Sequence, residues 1–188
     1  MKQSDSDIIE GILRGEEHGY AILLQRYRTR VYSLALRILR QSEEAEEAAQ
    51  DAFIRAFRSL DRFEGRSRFS TWLYRITYNS AISHAARLRR QPPTEELEEE
   101  EHRSDALPSD LRIEQQELRD LVTDAIKVMR PEYAVVLTLF YLQEQGYEEI
   151  AEITGLPLGT VKNRLHRARA QLRRAVIRKY SYVPQTGP

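Results

Sequence analysis

The side chains best suited to contacting a ligand lie near the C-terminus, where cationic and amide groups repeat along one face of a predicted helix. From Ile153 onward there are eight lysine or arginine residues and no acidic residue. Helical spacing places Asn163, His166 and Arg167 on the polar face. The flanking positions are Lys162, Arg164, Arg169 and Arg173. Because guanidinium, ammonium and amide groups bind phosphates and base edges, the pattern predicts a nucleic-acid contact surface.

Two short helices joined by a tight turn must position these side chains. Residues 147–154 form the first helix, Gly155 supplies the left-handed conformation that ends it, and Pro157 suits the first turn of the second. The second helix carries apolar residues at intervals of three and four: Leu158, Val161, Leu165, Ala168 and Leu172. This pattern predicts a helix-turn-helix, whose second helix enters the major groove. The alternative is an amphipathic hairpin with a solvent-exposed basic face.

A second region with nucleic-acid chemistry runs from Arg55 to Arg90, where nine arginines accompany two acidic residues. Five aromatic residues are interleaved with them: Phe63, Phe69, Trp72, Tyr74 and Tyr78. Single-stranded nucleic acid requires this combination, because bases stack on rings at about 1–3 kcal/mol each while cations follow the backbone. An extruded base also needs a small polar pocket, which we expect between the loop Gly65–Ser70 and Asn79.

Helical periodicity separates these aromatic candidates into two groups. Phe69 and Trp72 share the inner stripe of the helix that follows the loop, so we expect them in the core. Tyr74 and Tyr78 are expected on or near the outer side, where either a structural or a base-stacking role is open. Without the adjacent loop, Asn79 would be interpreted as an ordinary surface amide.

The composition excludes several other classes of protein. The 188 residues include no cysteine, which excludes disulfides and thiolate metal sites. The four histidines show no metal-ligand spacing, and no glycine-rich phosphate loop or nucleophile motif occurs. We therefore expect no enzyme activity, no cofactor and no metal. No apolar run reaches the roughly 20 residues that cross a bilayer, and the polar N-terminus is unlike a signal peptide. These features predict a cytoplasmic protein that is not itself a membrane protein.

Scarce glycine and the lack of strand-like alternation predict an all-α protein with two small helical domains. The formal net charge is zero, but residues 91–112 carry eight acidic and two basic groups. Like-charge repulsion and low hydrophobicity keep such a segment extended, which predicts a flexible acidic linker. The expected domains are residues 1–90 and residues 113–180, followed by a tail at residues 181–188.

The first domain is predicted to contain four helices, at about residues 7–13, 19–40, 42–60 and 70–89. Asp7 and Ser42 are the expected N-caps, because short polar side chains bond the free N–H groups of a first turn. Alanines line the inner face of the third helix, so neighbouring helices can approach it closely. The second domain adds a helix ending near Met129 and another that begins at Pro131 and closes at Gly146.

The residues around both candidate surfaces resemble one known family. The segments EEAEEAAQDAFIRAFRSL (Glu43–Leu60) and FEGRSRFSTWLYRITYNSA (Phe63–Ala81) resemble the promoter-melting half of a bacterial sigma factor. YEEIAEITGLPLGTVKNRLHRARAQLRR (Tyr147–Arg174) resembles the half that contains the helix-turn-helix. Because both halves match in the family's order and separation, the chain is similar to the extracytoplasmic-function (ECF, group 4) class of sigma factors.

This resemblance implies two promoter contacts. The recognition helix would contact the −35 element in the major groove, with Lys162, Asn163, His166 and Arg167 toward the bases. Thr160, Arg164 and Arg169 would lie at or near phosphates. The N-terminal domain would recognise and melt the −10 element, and would hold a flipped non-template base. The residues implied there are Gly65, Arg66, Ser67, Arg68, Phe69, Ser70, Arg75, Tyr78, Asn79 and Ser83.

The resemblance also implies protein partners. These are promoter DNA, RNA polymerase core through its β′ clamp helices and β flap, and an anti-sigma factor, which in this class is often membrane-bound. The surface implied for the β′ clamp helices consists of Gln50, Asp51, Ile54, Arg55 and Arg58. The acidic linker would run toward the active-site cleft and the RNA exit path. His166 occupies a variable position of the class, and Ser83 stands where some relatives place an amide, so the base contacts at both positions are open.

Two other functions remain compatible with the sequence. A stand-alone helix-turn-helix repressor or activator would bind a palindromic duplex operator unaided. A sigma factor would bind weakly alone and would direct core polymerase to an asymmetric, bipartite promoter. A polymerase-binding accessory protein without promoter specificity would show unchanged promoter selection after Arg167→Ala.

Overall fold

In the computed structural model, which describes residues 3–90 and 122–181, all regular secondary structure is helical. The predicted all-α class is thereby confirmed. The expected acidic linker, residues 91–112, lies outside the described residues. So do residues 113–121 of the expected second domain and residues 182–188 of the expected tail.

Four helices form the first half of the chain. They are α1 (Asp5–Leu13), α2 (His18–Leu39), α3 (Ser42–Arg58) and α4 (Phe69–Leu88), with a 3₁₀ turn at Leu60–Arg62 between the last two. Helices α2, α3 and α4 pack against one another. The inner face of α3 consists largely of buried alanines: Ala45, Ala48, Ala49, Ala52 and Ala56. Because each contributes only a methyl group, the helices on both sides can approach the α3 backbone closely.

The helix N-termini differ from the expected ones at two positions. Ser4 is the N-cap of α1: its Oγ accepts the Asp7 backbone N–H at 3.1 Å, and the Asp7 carboxylate accepts the Ser4 backbone N–H at 3.2 Å. Asp7 is therefore the third residue of a capping box rather than the cap. Ser42 is the first helical residue of α3, preceded by Gln41. Its hydroxyl instead forms a hydrogen bond with the Tyr32 hydroxyl at 2.9 Å.

Tyr74 of α4 is fully buried, which corrects the expectation that it lies on the outer side. Its ring packs edge-on against Tyr27 of α2, with 6.2 Å between the centroids. Burial raises the pKa of the Tyr74 hydroxyl to about 12. Phe69 is buried, as its position on the inner stripe predicts, and Trp72 is half-buried. The outer side of α4 is smaller than periodicity alone suggested, because helices of both halves of the chain cover it.

The second half of the chain contains a helix-turn-helix supported by shorter helical segments. Residues 122–127 are helical (α5), and α6 (Pro131–Leu137) runs into a π-helical turn at Thr138–Leu142. Helices α7 (Tyr147–Thr154) and α8 (Leu158–Ser181) follow. Gly146 does not close the preceding helix as expected. It is the N-cap of α7, and the irregular residues 143–145 lie between the two helices.

The two halves pack directly against each other. Helix α4 contacts α7, and α2 contacts α6. Buried residues of both halves, including Leu73 and Ile150, belong to one continuous apolar core. The buried side chain of Gln143 donates from Nε2 to the Arg30 backbone carbonyl at 3.1 Å. Both apolar and hydrogen-bonding contacts therefore fix how the halves are oriented.

Gly19 is required for close packing between α1 and α2. A Cβ atom at this position would lie 2.5 Å from Ile12 Cγ1 and 3.2 Å from Ile8 Cγ2, and both isoleucines are buried. We expect Gly19→Ala to lower the free energy of unfolding in urea by about 1–3 kcal/mol, because the core must shift to accept the methyl group. Gly159→Ala is the matched control, since nothing lies within 4 Å of its added Cβ. It should be neutral or stabilising, and equal losses in both variants would contradict the packing explanation.

Candidate nucleic-acid interface

The helix-turn-helix is built as its sequence predicts. Gly155 adopts φ +68° between α7 and α8, and its N–H donates to the Ala151 carbonyl at 2.9 Å. Ile150 and Ile153 of α7 pack in the same core as Val161 and Leu165 of α8, and all four are at most 1 % exposed. The apolar stripe thus fixes the rotation of α8, and the opposite face is left for solvent or a ligand.

That opposite face carries most of the residues predicted to contact duplex DNA. Lys162, Asn163, His166 and Arg167 are exposed, and Thr160 and Arg164 are partly buried. Thr160, Asn163, Arg164 and Arg167 line a cleft of about 320 Å³ together with Glu132 and Tyr133 at the start of α6. These last two residues could not be predicted from the sequence, because only the tertiary fold brings the start of α6 beside α8.

Arg169 does not share this surface. Its guanidinium carbon lies 4.8 Å from the centre of the Phe140 ring, its Nε donates to the Tyr141 hydroxyl at 3.0 Å, and one amino group donates to the Tyr147 hydroxyl at 3.4 Å. An arginine guanidinium stacks favourably on the faces of aromatic rings. The structure therefore places the Arg169 side chain in an aromatic cage that ties α8 to α7 and to the π-helical turn. Three aromatic residues close to the helix-turn-helix were the only sequence signal for this cage.

The second candidate surface includes the loop Gly65–Ser70, which was predicted to hold an extruded base. Gly65 adopts φ +69°, and no atom lies within 4 Å of a Cβ built on it. Phe63, Phe69 and Trp72 form an aromatic cluster with ring centroids 5.2–5.8 Å apart, which attaches the loop to the start of α4. Arg66 is exposed, whereas Phe69 is only 3 % exposed and offers little ring surface to a base.

The structure does not bring Asn79 into the same pocket as the loop. All residues from Gly65 to Ser70 line a polar cavity of about 590 Å³, whose other walls include Tyr27, Arg30 and residues 143–145. Asn79 lies ten residues along α4 from Phe69, which is roughly 15 Å at 1.5 Å per residue. Arg75, Asn79 and Ser83 are exposed, and Tyr78 beside them is half-buried. Their spacing of four residues places these three exposed side chains along one face of α4.

Helices α2 and α3 form an apolar groove at the surface predicted to bind polymerase. The groove has a volume of about 670 Å³ and includes the predicted residues Gln50 and Ile54. Sequence reasoning missed its other side chains, which are Leu24, Arg28, Thr29, Tyr32, Glu46, Ala49, Phe53 and Phe57. Ile54 is 48 % and Leu24 42 % exposed, so two large apolar side chains face solvent here. Arg55 and Arg58 are exposed but do not line the groove.

Asp51 points away from this groove, toward α4. Its carboxylate lies 3.0 Å from Nε2 of His84, which is 5 % exposed. On the other side of the same ring, an amino nitrogen of Arg87 lies 3.2 Å from Nδ1 of His84. The same nitrogen lies 3.4 Å from a carboxylate oxygen of Glu44 and 3.3 Å from one of Glu47. Ligand atoms of Glu44, Glu47 and His84 lie within 4.8 Å of one another, so they could hold a metal ion only if Arg87 moved away. Through this cluster, the Asp51 side chain connects α3 to α4.

Arg68, one of the predicted DNA-contacting residues, is engaged by the other half of the chain. Its Nε donates to Glu149 Oε1 at 2.7 Å, and an amino group donates to Oε2 at 2.5 Å. Glu149 also accepts the Gly146 N–H at 2.7 Å and the Thr71 hydroxyl at 3.1 Å. Partial burial raises the pKa of Glu149, but these donors outweigh burial and hold it below the usual 4.5. The loop and the helix-turn-helix are therefore joined by a bidentate ion pair.

Comparison with known proteins assigns both halves of the chain to one family. Residues 23–91 match the family model described as Sigma-70 region 2, and residues 119–172 match the model described as Sigma-70, region 4. Two helical regions that match region 2 and region 4, in that order, identify the sigma-70 type of architecture. None of the described helices is long and apolar enough to cross a lipid bilayer.

Curated relatives align along most of the chain. ECF RNA polymerase sigma factor SigW of Bacillus subtilis is 34 % identical over 178 residues, which cover 88 % of this chain and 93 % of the relative. ECF RNA polymerase sigma-E factor of Escherichia coli K12 is 35 % identical over 175 residues, with coverages of 88 % and 91 %. RNA polymerase sigma-H factor of Pseudomonas aeruginosa is 32 % identical over 183 residues, with coverages of 93 % and 95 %.

Two solved structures have the same fold. The sigma factor RpoE from Bartonella quintana, in complex with the anti-sigma factor NepR, superposes with a TM-score of 0.63 at 21 % identity, covering 84 % of this chain and 96 % of RpoE. CnrH, in complex with the cytosolic domain of CnrY, gives a TM-score of 0.62 at 20 % identity, with coverages of 93 % and 98 %. The family models and the curated relatives show that the chain belongs to the extracytoplasmic-function class of the sigma-70 family, as its motifs predicted.

Proposed function

We propose that this chain associates with RNA polymerase core and directs it to start transcription at promoters with paired −35 and −10 elements. The observation that carries this proposal is the presence, in one chain of the family, of two exposed cationic surfaces. One lies on the second helix of a helix-turn-helix, and the other lies on the loop and exposed face of α4. A protein with the first surface alone would be an ordinary duplex-binding regulator.

The −35 element is contacted by α8. Lys162, Asn163, His166 and Arg167 are placed toward the bases, because all four are exposed on the polar face. Thr160 and Arg164, at the edge of the face, contact phosphates. The guanidinium of Arg169, held in its aromatic cage, fixes the position of α8 on the helices beneath it. Arg169 therefore affects DNA binding indirectly, by positioning the residues that touch DNA.

The −10 element is melted and held by the loop and α4. Gly65, Arg66, Ser67, Arg68 and Ser70 line one side of a polar cavity, and the extruded base binds against this side. The separated strand then continues along the face formed by Arg75, Asn79 and Ser83, with the half-buried ring of Tyr78 beside it. Phe69 supports the loop from the core and does not itself stack on a base.

The polymerase core binds at the groove between α2 and α3. Exposed Ile54 and Leu24 supply the apolar contact that the β′ clamp helices would cover, and Gln50 supplies a polar contact. Arg55 and Arg58 form the rim, while Asp51 holds α3 to α4 through His84. The β flap binds the helix-turn-helix half. We further propose that the chain acts in the cytoplasm without catalysis of its own. An anti-sigma factor would cover the same surfaces; the structurally similar RpoE was solved in complex with the anti-sigma factor NepR.

This function can be tested by run-off transcription with purified core polymerase. The templates are a promoter library, prepared both as duplex DNA and in pre-melted form. We expect the wild-type chain to support initiation at asymmetric, bipartite promoters. Asn79→Ala should lower initiation on duplex promoters about tenfold, which corresponds to one lost base contact of 1–2 kcal/mol. On pre-melted promoters at saturating polymerase the loss should be smaller, because strand opening no longer limits initiation there.

Gln25→Ala is the matched control for this experiment, since it removes an exposed amide from α2. It should leave initiation unchanged on both promoter forms. The proposed function is contradicted if the wild-type chain does not bind core polymerase, or binds palindromic duplex DNA tightly without it. An equal effect of Asn79→Ala on duplex and pre-melted promoters would contradict the melting role of α4.

A further inference from the structure

A cluster of charged and imidazole side chains lies where the start of α3 meets the C-terminal part of α4. Glu44 and Glu47 are one turn apart on α3, and His84 and Arg87 are one turn apart on α4. One ligand atom from each of Glu44, Glu47 and His84 lies within 4.8 Å of the other two. Carboxylate oxygens and imidazole nitrogens are the ligands with which proteins bind zinc and similar divalent transition metals. These three residues are therefore candidate metal ligands.

The packing of α4 against α3 creates this ligand set, so ligand spacing along the sequence contains no sign of it. Two glutamates on one turn of a helix would alone be an ordinary acidic surface. His84 makes the difference, because it is only 5 % exposed and its Nδ1 lies 3.6 Å from a carboxylate oxygen of Glu44. A buried imidazole thus supplies a nitrogen ligand beside two oxygen ligands.

Asp51 fixes the orientation and the tautomer of the His84 ring. Its carboxylate accepts a hydrogen bond from Nε2, which lies 3.0 Å away and therefore carries the ring proton. On the other side an amino group of Arg87, which can only donate, lies 3.2 Å from Nδ1. Nδ1 therefore presents a lone pair to the cluster. A carboxylate bonded to the second ring nitrogen is typical of histidines that bind metals, because it holds the ring in place and makes it a stronger ligand.

Arg87 occupies the position of the cation in this cluster. The amino nitrogen that approaches Nδ1 also lies 3.4 Å from a Glu44 oxygen and 3.3 Å from a Glu47 oxygen. Both distances exceed the roughly 2.7–2.9 Å of a charge-assisted hydrogen bond, so the guanidinium fits loosely between the carboxylates. Its single positive charge also faces three carboxylates, which are those of Glu44, Glu47 and Asp51. A divalent ion would offset this negative charge more completely.

The exposure of two side chains allows such an exchange. The Arg87 side chain is 52 % exposed and the Glu47 side chain 62 % exposed. The guanidinium can therefore turn into solvent, and the Glu47 carboxylate can move inward to reach a metal–oxygen distance of roughly 2.0–2.2 Å. Glu44 and His84 are more deeply buried and form the rigid side of the site.

We propose that Glu44, Glu47 and His84 bind a divalent transition-metal ion of the zinc type, which displaces Arg87 and links α3 to α4. Three protein ligands leave a fourth, tetrahedral position for water. The imidazole nitrogen favours Zn²⁺ over Mg²⁺, which prefers six oxygen ligands. The proposal is independent of the proposed function, because it concerns a contact within the first half of the chain and needs neither polymerase nor DNA.

Calorimetric titration of the full-length chain with ZnCl₂, in a buffer that does not chelate zinc, tests the proposal, and MgCl₂ serves as the comparison ion. Nitrogen-15 NMR of the four imidazoles provides the second readout. The signals of His84 are those that disappear in His84→Gln. We expect its Nδ1 signal to shift on addition of zinc while Nε2 keeps its proton. Because zinc would bind only the folded chain, it should also raise the midpoint of thermal unfolding.

Two pairs of variants separate the site from general binding of zinc to surface groups. Glu47→Gln removes one ligand and should weaken zinc binding about tenfold or more. Its matched control is Glu43→Gln, on the same exposed turn of α3 but outside the cluster, which should change the affinity less than twofold. Arg87→Ala removes the competing cation and should tighten zinc binding about three- to tenfold. Arg89→Ala, which removes an exposed arginine at the end of α4, should leave it unchanged.

The proposal would be overturned if the wild-type chain showed no saturable zinc binding, or if Glu47→Gln and Glu43→Gln bound zinc equally well. Zinc binding without a shift of the His84 Nδ1 signal would also overturn it, since the ion would then lie elsewhere. So would equal affinities for Mg²⁺ and Zn²⁺, which would mean that the imidazole is not a ligand. Helical circular dichroism checks the folding of each variant. If His84→Gln failed to fold, the calorimetric comparison of Glu47→Gln with Glu43→Gln would decide the outcome.

Discussion

Replacing Ile54 with aspartate is expected to weaken binding to core polymerase by about 30- to 1,000-fold, or 2–4 kcal/mol, the range of a buried interface anchor. Ile54 is 48 % exposed in the free chain and lines the apolar groove between α2 and α3. A partner that covers the groove would bury this side chain. An aspartate would then be desolvated without a cation to pair with it. The dissociation constant for fluorescently labelled chain and purified core polymerase, measured without DNA, gives the effect directly.

Ile82→Asp is the control, because Ile82 is exposed to a similar extent, 44 %, but lies on α4 outside the groove. It should bind core polymerase within about twofold of the wild type. Helical circular dichroism of both variants checks that neither substitution unfolds the chain. A loss of binding that is the same for both substitutions would mean that the groove is not the contact surface for core polymerase.

Replacing Arg167 with alanine is expected to cost about 1–3 kcal/mol at one position of the −35 element, which is about 5- to 150-fold in promoter binding. Arg167 is exposed on the polar face of α8 and lines the cleft shared with Glu132 of α6. A side chain there reaches base edges when α8 enters the major groove. Run-off transcription on promoters with each base at each −35 position should show relaxed selection at one position only.

Arg173→Ala is the matched control, since it removes an exposed arginine further along the same helix. A residue that touches only phosphates weakens binding about equally for all sequences and lowers the salt dependence by about one contact. We therefore expect Arg173→Ala to leave the preferred −35 sequence unchanged. If Arg167→Ala also left promoter selection intact, the chain would be a polymerase accessory protein rather than the source of specificity.

The features that could be predicted from the sequence depend on local rules. Gly155 and Pro157 determine the turn of the helix-turn-helix, because one permits a positive φ and the other begins a helix. The apolar stripe of α8 fixes which face is exposed, and the alanines of α3 indicate close helix packing. Together with the motif resemblance, these local signals were enough to obtain the helical class, the family and the two cationic surfaces.

The features that could not be predicted depend on contacts between residues distant in the chain. Tyr74 was expected outside because periodicity describes one buried face, whereas α4 is covered from both halves of the chain. The contact between Asp51 of α3 and His84 of α4 joins residues 33 positions apart in the chain, and no local pattern indicates it. Arg169 was expected at phosphates, and its aromatic cage arises only when the π-helical turn packs beside α8. No periodic pattern contains this information.

The row of alanines along α3 has a mechanical consequence. Apart from Phe53, the buried side chains of α3 are alanines, which have no rotamers that could absorb a displacement. Helix α3 carries Ile54 on its outer surface and is joined to α4 through Asp51 and His84. A displacement of α3 at the groove would therefore also displace α4. If polymerase binds α3 as proposed, the exposed face of α4 is held at a fixed angle to the bound surface.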